Sequence, residues 1–587
     1  MLRRALERLG TEPSPTRVYI LAGLADLPPI NITAVEQVEL AREALEVARD
    51  IDDPRAIIMA HQALLTALGA PEYLDERLEL ARELIRLGAD AGDRFGELWG
   101  HIRLMIALLS SGDVDGADSE LEIIYPRAAE TREPAWIGRR PSWTGMRAAM
   151  QGKWEEAERS QQEIMAAYQE VQAAWLLQAA GVLTYEIRRG QGRVAEVEAI
   201  VDVGASQNPA PAWKAVQALI RCDTGRDDEA RQILDQLAAK DFQDLPQDWL
   251  LISGLTTFIH VASHLKDAKR ARALYGLLLP YSEQYIVVGD AVLYWGSVAM
   301  ALGMAATTMG DWEAAEQHFK AAIKAEDRCR AWPFLARAKY QYAVMLTARD
   351  EEGDRKSALP LANEALARFQ ELGMLSDTEK ALALKLDLQG IDTTDTSGSI
   401  EAVASLIYNE QPNLRRHAAP DGTVTLLFTD IEGSTELTER LGDQRWLELL
   451  REHNAIIREQ VAAHEGFEVK SIGDGFMLAF QSGRSGINCA IETQRAFSKR
   501  EASPDESIRV RIGLHTGEVI KEGDDFFGKH VNLAARIAAQ ASGGEILVSS
   551  LLKELTASGG DIEFEDGDEV ELKGLTGTHQ LYAVKWQ

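Results

Sequence analysis

Cysteine is scarce in this chain. Its 587 residues include only Cys222, Cys329 and Cys489, which lie far apart in the sequence. These positions match neither a disulfide framework nor the ligand spacing of a zinc site. The sequence therefore predicts a protein of a reducing compartment, the cytoplasm.

Basic residues are few relative to acidic ones. The chain has 62 Lys and Arg against 92 Asp and Glu, a formal net charge of −30. Such a field repels polyanions, which argues against nonspecific binding to nucleic acid or to an anionic membrane. An anionic ligand would need local positive charge or metal ions, helped by screening over about 8 Å at physiological salt.

Three familiar signals are missing. Residues 1–10 carry early positive charge but no continuous apolar segment, so no secretory signal is expected. Residues 291–309 lack charge and are long enough to cross a membrane, but they contain Gly296 and Gly303 and end at a repeat turn. They are predicted to form a buried helix without membrane insertion. No Gly-x-x-x-x-Gly-Lys-Ser/Thr loop occurs, so an ATPase switch, if one acts, belongs to another chain.

A short pattern with Gly at its first position and Ala or Val at its sixth recurs through the first two thirds of the chain. Its copies start at Gly112, Gly152, Gly192, Gly225, Gly310 and Gly353, with Lys266 in the Gly position of a further copy. The average period of about 40 residues fits a helix-turn-helix solenoid. The copy at Gly310 is the clearest, because Leu302, Gly303, Ala315, Phe319 and Ala322 surround it. Residues 1–390 therefore resemble a tetratricopeptide-like array, whose surface would bind an unidentified protein or ligand.

A polar segment follows the repeats. Residues 391–398 (IDTTDTSG) predict a break, and residues 399–410 predict a short amphipathic helix. We assign residues 391–421 to a linker. Its helix is either a plain connection or a coupling element that pairs with its twin in a dimer.

Two aspartates stand out in the remaining residues, 422–587. Residues 423–429 (TVTLLFT) predict a strand that leads directly to Asp430. Residues 467–480 predict a hairpin that turns at Gly473-Asp474-Gly475. If the hairpin pairs beside the first strand, Asp430 and Asp474 converge at one end of the sheet. Two adjacent carboxylates repel each other and favour a hard cation such as Mg²⁺ or Mn²⁺.

Each of these features is common by itself. A lone strand-end Asp is usually a turn residue, and residues 531–536 (VNLAAR) alone would read as an amphipathic helix. Their order is informative, because residues 508–519 (IRVRIGLHTGEV) supply a further strand between them. Together they resemble the catalytic domain of class III adenylyl/guanylyl cyclases, from about Thr423 to the C-terminus. The resemblance implies an α/β domain of the ferredoxin-like βαββαβ type behind an all-α solenoid.

The resemblance implies roles for particular residues around the phosphates. Asp430, Asp474 and the backbone carbonyl of Ile431 would bind two Mg²⁺ or Mn²⁺ ions, one activating the ribose 3′-hydroxyl and one holding the triphosphate. The backbone of Gly433, Ser434 and Thr435 would wrap the phosphates at a helix start.

Further positions would read the base and the ribose. Lys470 and Asp525 fall where adenylyl cyclases recognise adenine, which favours ATP over GTP. Asn532 would orient the ribose, and Arg536 would stabilise charge on the α-phosphate through its planar donors. Lys573 is only a possible triphosphate contact, because Leu575 stands where some members carry that lysine.

Other residues near these motifs are not assigned a catalytic role. Lys529 and His530 replace small or acidic residues that are common in the family, a change that could alter the rate. His515 is interpreted as a structural histidine.

The sequence thus predicts a cytoplasmic adenylate cyclase that converts ATP to 3′,5′-cyclic AMP and pyrophosphate by two-metal in-line attack. The family implies a homodimer through the cyclase domain, with the repeats as regulators. The alternatives are a guanylate cyclase, which Lys470 and Asp525 disfavour, or a nucleotide-binding scaffold with little turnover.

Overall fold

A computed structural model of the protein describes residues 2–27, 32–131, 136, 138–207, 210–238, 241–389, 418–419, 422–441, 443–472, 474–500, 507–518, 525–572, 575 and 577–587. The chain divides into two compact units, Met1–Lys385 and Leu386–Gln587. The linker helix expected at residues 399–410 lies outside the described residues.

The described part of the first unit is built mainly of α-helices. They are α1 to α20 in chain order: Leu2–Leu9, Pro15–Ala25, Ala34–Asp50, Pro54–Ala67, Leu74–Ala91, Arg94–Ser111, Val114–Thr131, Arg139–Met150, Trp154–Val171, Ala174–Gly190, Glu198–Gln207, Pro211–Asp223, Asp227–Leu237, Leu251–His264, Ala268–Leu278, Val298–Met309, Trp312–Arg328, Trp332–Arg349, Asp354–Glu371 and Leu375–Leu388. Short 3₁₀ turns occupy Pro71–Tyr73, Val194–Val197 and Leu279–Tyr281.

The repeat turns explain how these helices end and restart. Gly310 follows α16 with φ +75°, a left-handed conformation in which a side chain is strained. The side chain of Asp311 then accepts a hydrogen bond from the backbone N–H of Ala314 and caps α17. Gly303 lies against the ring of Phe319, so close that a Cβ there would meet the ring at 2.8 Å. The helical character of the first unit is confirmed and is compatible with a repeat array, while its tetratricopeptide character stays a prediction.

The prediction of a buried helix at residues 291–309 is wrong for the first part of that range. Strands β1 (Tyr285–Val288) and β2 (Leu293–Ser297) form an antiparallel hairpin, and the helix begins only at Val298. Gly296 has φ +87°, which a right-handed helix does not permit. Buried Glu326 accepts hydrogen bonds from the Tyr294 hydroxyl and from the Ser297 N–H, contacts that stabilise the strand.

Among the described residues, no helix combines the length and the apolar character needed to cross a membrane.

The second unit contains a seven-stranded mixed sheet covered by helices. Its strands are β3 to β9: Thr423–Ile431, Phe467–Ile472, Gly475–Phe480, Val510–Glu518, Ile546–Ser549, Asp568–Glu571 and Thr578–Ala583. Its described helices are α21 to α25: Ser434–Leu441, Asp443–Ala463, Gly483–Lys499, Asp525–Gln540 and Ser550–Ala557. The order across the sheet is β4-β5-β3-β6-β7-β9-β8.

The first four strands confirm the ferredoxin-like core. β3 lies centrally and pairs antiparallel with β5 and with β6, while β4 pairs antiparallel with β5. With helices α21 and α22 after β3 and α23 after β5, this is the βαββαβ order. β7 then joins β6 in parallel, and β9 and β8 complete the sheet.

Candidate active site

The end of β3 and the β4–β5 turn bring two carboxylates together. β4 ends at Ile472 and β5 begins at Gly475, so the hairpin turn places Asp474 beside β3. The Ile431 N–H donates to Asp474 Oδ2 at 3.3 Å. Asp430 and Asp474 are both buried, with exposed fractions of 1% and 5%. The predicted convergence of Asp430 and Asp474 at one end of the sheet is therefore present in the fold, while the role of the Ile431 carbonyl stays a prediction.

Burial and the nearby charge of Asp474 make the ionised form of Asp430 costly. Burial, and then the negative charge of Asp474, raise the pKa of Asp430 well above its usual range. Arg511 on β6 opposes this shift, since its Nη2 donates to Asp430 Oδ2 at 2.6 Å. The other oxygen, Asp430 Oδ1, is buried without a hydrogen-bond partner among the residues that the structure describes.

These features fit a divalent metal ion. A buried carboxylate oxygen without a donor is costly unless a cation or a proton satisfies it. Hard oxygen donors such as those of Asp430 and Asp474 are the ligands that Mg²⁺ and Mn²⁺ prefer.

A tight turn follows β3. Gly433 has φ +66°, and its carbonyl accepts the first hydrogen bond of α21 from the Leu437 N–H at 2.9 Å. Ser434 is the first residue of α21. The N–H groups at such a helix start suit phosphate oxygens. The side chain of Thr435 lies outside the description, although its backbone belongs to the same first turn.

Helix α24 presents two predicted site residues one turn apart. Val531, Ala534, Ala535 and Ala538 are buried against the sheet residues Val424, Leu426, Phe428, Met477 and Ala479. The period of the helix leaves Asn532 exposed and Arg536 partly exposed. One chain thus carries both predicted parts of the site, the carboxylate pair on the sheet and the polar face of α24.

The remaining predicted contacts are only partly located. Lys470 lies in β4, where its backbone is opposite Met477, and Asp525 is the first residue of α24. Their side chains, and the whole of Lys573, lie outside the described structure. Their roles stay predictions.

The structure adds Arg511, which the sequence reasoning passed over within the β6 strand. The pairing of β6 with β3 could have identified it, because the register of these two strands places Arg511 directly opposite Asp430. His515, by contrast, lies within hydrogen-bonding distance of Ser549 Oγ at 2.8 Å and of His530 Nδ1 at 2.9 Å, and burial lowers its pKa to about 3. These contacts fit the structural role expected for His515.

Comparison with known families agrees with this geometry. The family model described as the adenylate and guanylate cyclase catalytic domain matches residues 417–585. The match confirms the resemblance that the motifs indicated, and it contains all seven strands of the sheet.

Individual relatives match the same region. The adenylate cyclase of Podospora anserina is 32% identical over an alignment of 157 residues, and the match covers 22% of this chain and 7% of that protein. The putative adenylate cyclase 3 of Rhizobium meliloti (strain 1021) is 31% identical over 152 residues, 26% of each chain. A solved adenylate cyclase structure from Trypanosoma brucei is 26% identical and covers 28% of this chain and 90% of that one, with a TM-score of 0.25. The chain spans about a quarter or less of the two curated relatives.

Proposed function

We propose that residues 422–587 form an adenylate cyclase domain that converts ATP to 3′,5′-cyclic AMP and pyrophosphate. The observation that carries the proposal is the buried pair Asp430 and Asp474 inside a region matched by a cyclase family model. One carboxylate oxygen of the pair has no hydrogen-bond partner within the described part of the chain. Bound Mg²⁺ or Mn²⁺, two per site, would supply activation of the 3′-hydroxyl and charge neutralisation on the triphosphate.

Residues of the chain itself would bind the metal ions and the substrate. Asp430, Asp474 and the Ile431 carbonyl would hold the ions, and the α21 start at Gly433 and Ser434 would bind the phosphates through N–H groups. Arg511 would favour the ionised form of Asp430 and so oppose burial and the charge of Asp474, which raise the pKa of that carboxyl group. On α24, Asn532 would orient the ribose and Arg536 would stabilise charge on the α-phosphate.

ATP is the proposed substrate rather than GTP. Lys470 and Asp525 occupy the positions that read adenine in adenylyl cyclases, and both curated relatives above are named adenylate cyclases. We assign residues 1–390 to the regulatory repeats and residues 391–421 to the linker. We infer a cytoplasmic homodimer in which the polar face of α24 completes the partner's site.

Turnover of the purified chain tests this function. ATP and GTP are supplied separately with Mg²⁺ and with Mn²⁺, and the products are separated chromatographically. Cyclic AMP should be the faster product. Faster cyclic GMP would favour the guanylate cyclase alternative, and tight nucleotide binding without either product would favour the scaffold.

Base choice provides a sharper test. Lys470→Glu combined with Asp525→Cys should depress ATP use and shift the preference toward GTP, because specificity is a difference between two transition-state affinities. The ratio of the two kcat/KM values measures the shift. An unchanged ratio in a folded double variant would remove the assigned roles of Lys470 and Asp525.

A further inference from the structure

Three side chains of different chemistry converge where two successive repeats meet. Cys222 is the penultimate residue of α12, Asp227 begins α13, and His264 ends α14. The thiol sulfur, one carboxylate oxygen and one imidazole nitrogen all lie within 4.8 Å of one another. His264 Nε2 and Asp227 Oδ1 are already in contact at 2.9 Å.

The accessibility of the three groups suits entry of an ion. Cys222 forms the floor of the cluster, with an exposed fraction of 4%. The His264 and Asp227 side chains form its rim, with exposed fractions of 43% and 56%. An ion could therefore reach the sulfur from solvent between the two exposed side chains.

Asp227 differs from the residues at the same position of most other repeat copies. The position two residues after the turn Gly or Lys carries Val114, Trp154, Val194, Ala268 and Trp312 in five other copies. Val114 and Trp154 are buried there, Val194 and Trp312 are partly buried, and Ala268 is exposed. Only the copy at Gly353 also has a charged residue, Arg355. Asp227 therefore has a carboxylate where those five copies have an apolar side chain, and this carboxylate lies beside a thiol and an imidazole.

We propose that Cys222, Asp227 and His264 form a binding site for a borderline-soft divalent transition-metal ion of the Zn²⁺ type. Sulfur, imidazole nitrogen and carboxylate oxygen are the donors that Zn²⁺ takes from proteins, and three protein ligands leave a fourth position for water. One thiolate and one carboxylate balance the charge of the ion.

Binding requires no oxidant or reductant. The Cys222 S–H bond breaks, its proton passes to solvent, and a metal–sulfur bond forms. The carboxylate of Asp227 and one nitrogen of neutral His264 donate electron pairs, while the other ring nitrogen keeps the proton. The ion would tie the ends of α12 and α14 to the start of α13 and stabilise this part of the solenoid.

Cobalt(II) is the probe, because a thiolate ligand produces a near-ultraviolet charge-transfer band that oxygen-only sites do not. The full chain, freed of any affinity tag and saturated with Mg²⁺, is titrated with Co²⁺. The band should saturate at one equivalent per chain, and added Zn²⁺ should remove it. A wild-type chain without the band overturns the proposal.

Variants identify the ligands. Cys222→Ser should abolish the band, whereas Cys329→Ser and Cys489→Ser, which alter the other buried cysteines, should retain it. His264→Gln and Asp227→Asn change exposed side chains that folding tolerates, and each should weaken Co²⁺ binding by at least roughly 10²-fold, the upper figure for losing a mere supporting residue. Unchanged affinity in either one, or a band that survives Cys222→Ser, overturns the three-ligand site. None of these outcomes depends on cyclase activity.

Discussion

At the residue scale, Asp430 illustrates how a site can be built at the expense of local stability. Its carboxylate is buried beside that of Asp474, and one of its oxygens lacks a hydrogen-bond partner among the described residues. Arg511 offsets only part of this cost. A structural role alone would not require such an arrangement, whereas a cation held by both carboxylates would relieve it.

We expect Asp430→Ala and Asp474→Ala each to lower cyclase turnover by at least about 10²-fold, the scale of losing a main electrostatic stabiliser. Steady-state cyclic AMP formation measures the loss, and circular dichroism checks that each variant is folded. Asp568→Ala, on the exposed strand β8, is the matched control and should keep normal turnover. Near-normal turnover in either folded site variant would contradict the metal-ligand assignment.

Glu326 makes the stability of the first unit depend on pH. Burial raises its pKa from 4.5 to about 7, although the Ser297 N–H and the Tyr294 hydroxyl donate to it. The folded chain therefore holds a proton that the unfolded chain releases near pH 4.5. This contribution is fully present below about pH 4.5 and is lost as the pH rises through about 7, a change of roughly 3 kcal/mol.

Glu326→Gln should flatten that dependence, because an amide does not titrate. The urea midpoint of the repeat unit, followed by tryptophan fluorescence from about pH 5 to about pH 8, measures the slope. Glu313→Gln changes an exposed residue of the same helix, α17, and should leave the slope of the wild type. Equal slopes in wild type and Glu326→Gln would refute the proton held by Glu326.

At the scale of elements, the position of α24 depends on glycine in β6. A Cβ added at Gly513 would lie 2.1 Å from the backbone nitrogen of Ala538, far inside van der Waals contact. The backbone of α24 therefore packs directly on the strand, supported by the alanines of its inner face. The same contact sets where Asn532 and Arg536 stand.

Gly513→Ala should force α24 away from the sheet. We expect a loss of about 1–3 kcal/mol in unfolding free energy, the usual cost of overpacking, together with reduced cyclic AMP formation. Gly276→Ala is the control, because its Cβ would meet nothing within 4 Å on a helix, and it should be neutral or gain up to about 1 kcal/mol. Wild-type stability and turnover in Gly513→Ala would show that α24 is not held by this contact.

At the scale of the whole molecule, the two-part site raises the question of which chain supplies each part. One chain carries the carboxylate pair on its sheet and the Asn532–Arg536 face on α24. In the proposed homodimer each site combines the carboxylates of one chain with the α24 face of the other, so two equivalent sites form across the two-fold axis.

Mixing two inactive variants tests the shared site. Asp430→Ala and Arg536→Ala should each be nearly inactive, but after subunit exchange the mixture should recover roughly a quarter of wild-type activity. Half of the dimers are then mixed, and each holds one intact site. Asp430→Ala mixed with Asp474→Ala should not recover, because both changes damage the same half of the site. If subunit exchange is confirmed and the mixture of Asp430→Ala with Arg536→Ala is only as active as the two variants added together, each chain catalyses alone.

Local patterns were enough to predict much of this protein. A β-branched and apolar run predicted β3, and turn residues predicted the β4–β5 hairpin. The recurring glycines predicted the helical first unit, because all of these signals depend on residues close in sequence. The convergence of Asp430 with Asp474 could also be predicted from the sequence, because a hairpin that pairs beside a strand has few possible arrangements.

The tertiary structure decided whatever depends on partners distant in sequence. The stretch at residues 293–297 looked helical from its lack of charge, but Glu326 and the partner strand β1 make it a strand. Arg511 became a site residue only through the register of β6 on β3. Cys222 and His264 are brought together only by the packing of neighbouring repeats, so no local spacing could reveal them. Sequence patterns report the conformation of a segment and which of its faces is apolar, whereas the identity of the atoms across that face is set by the folded chain.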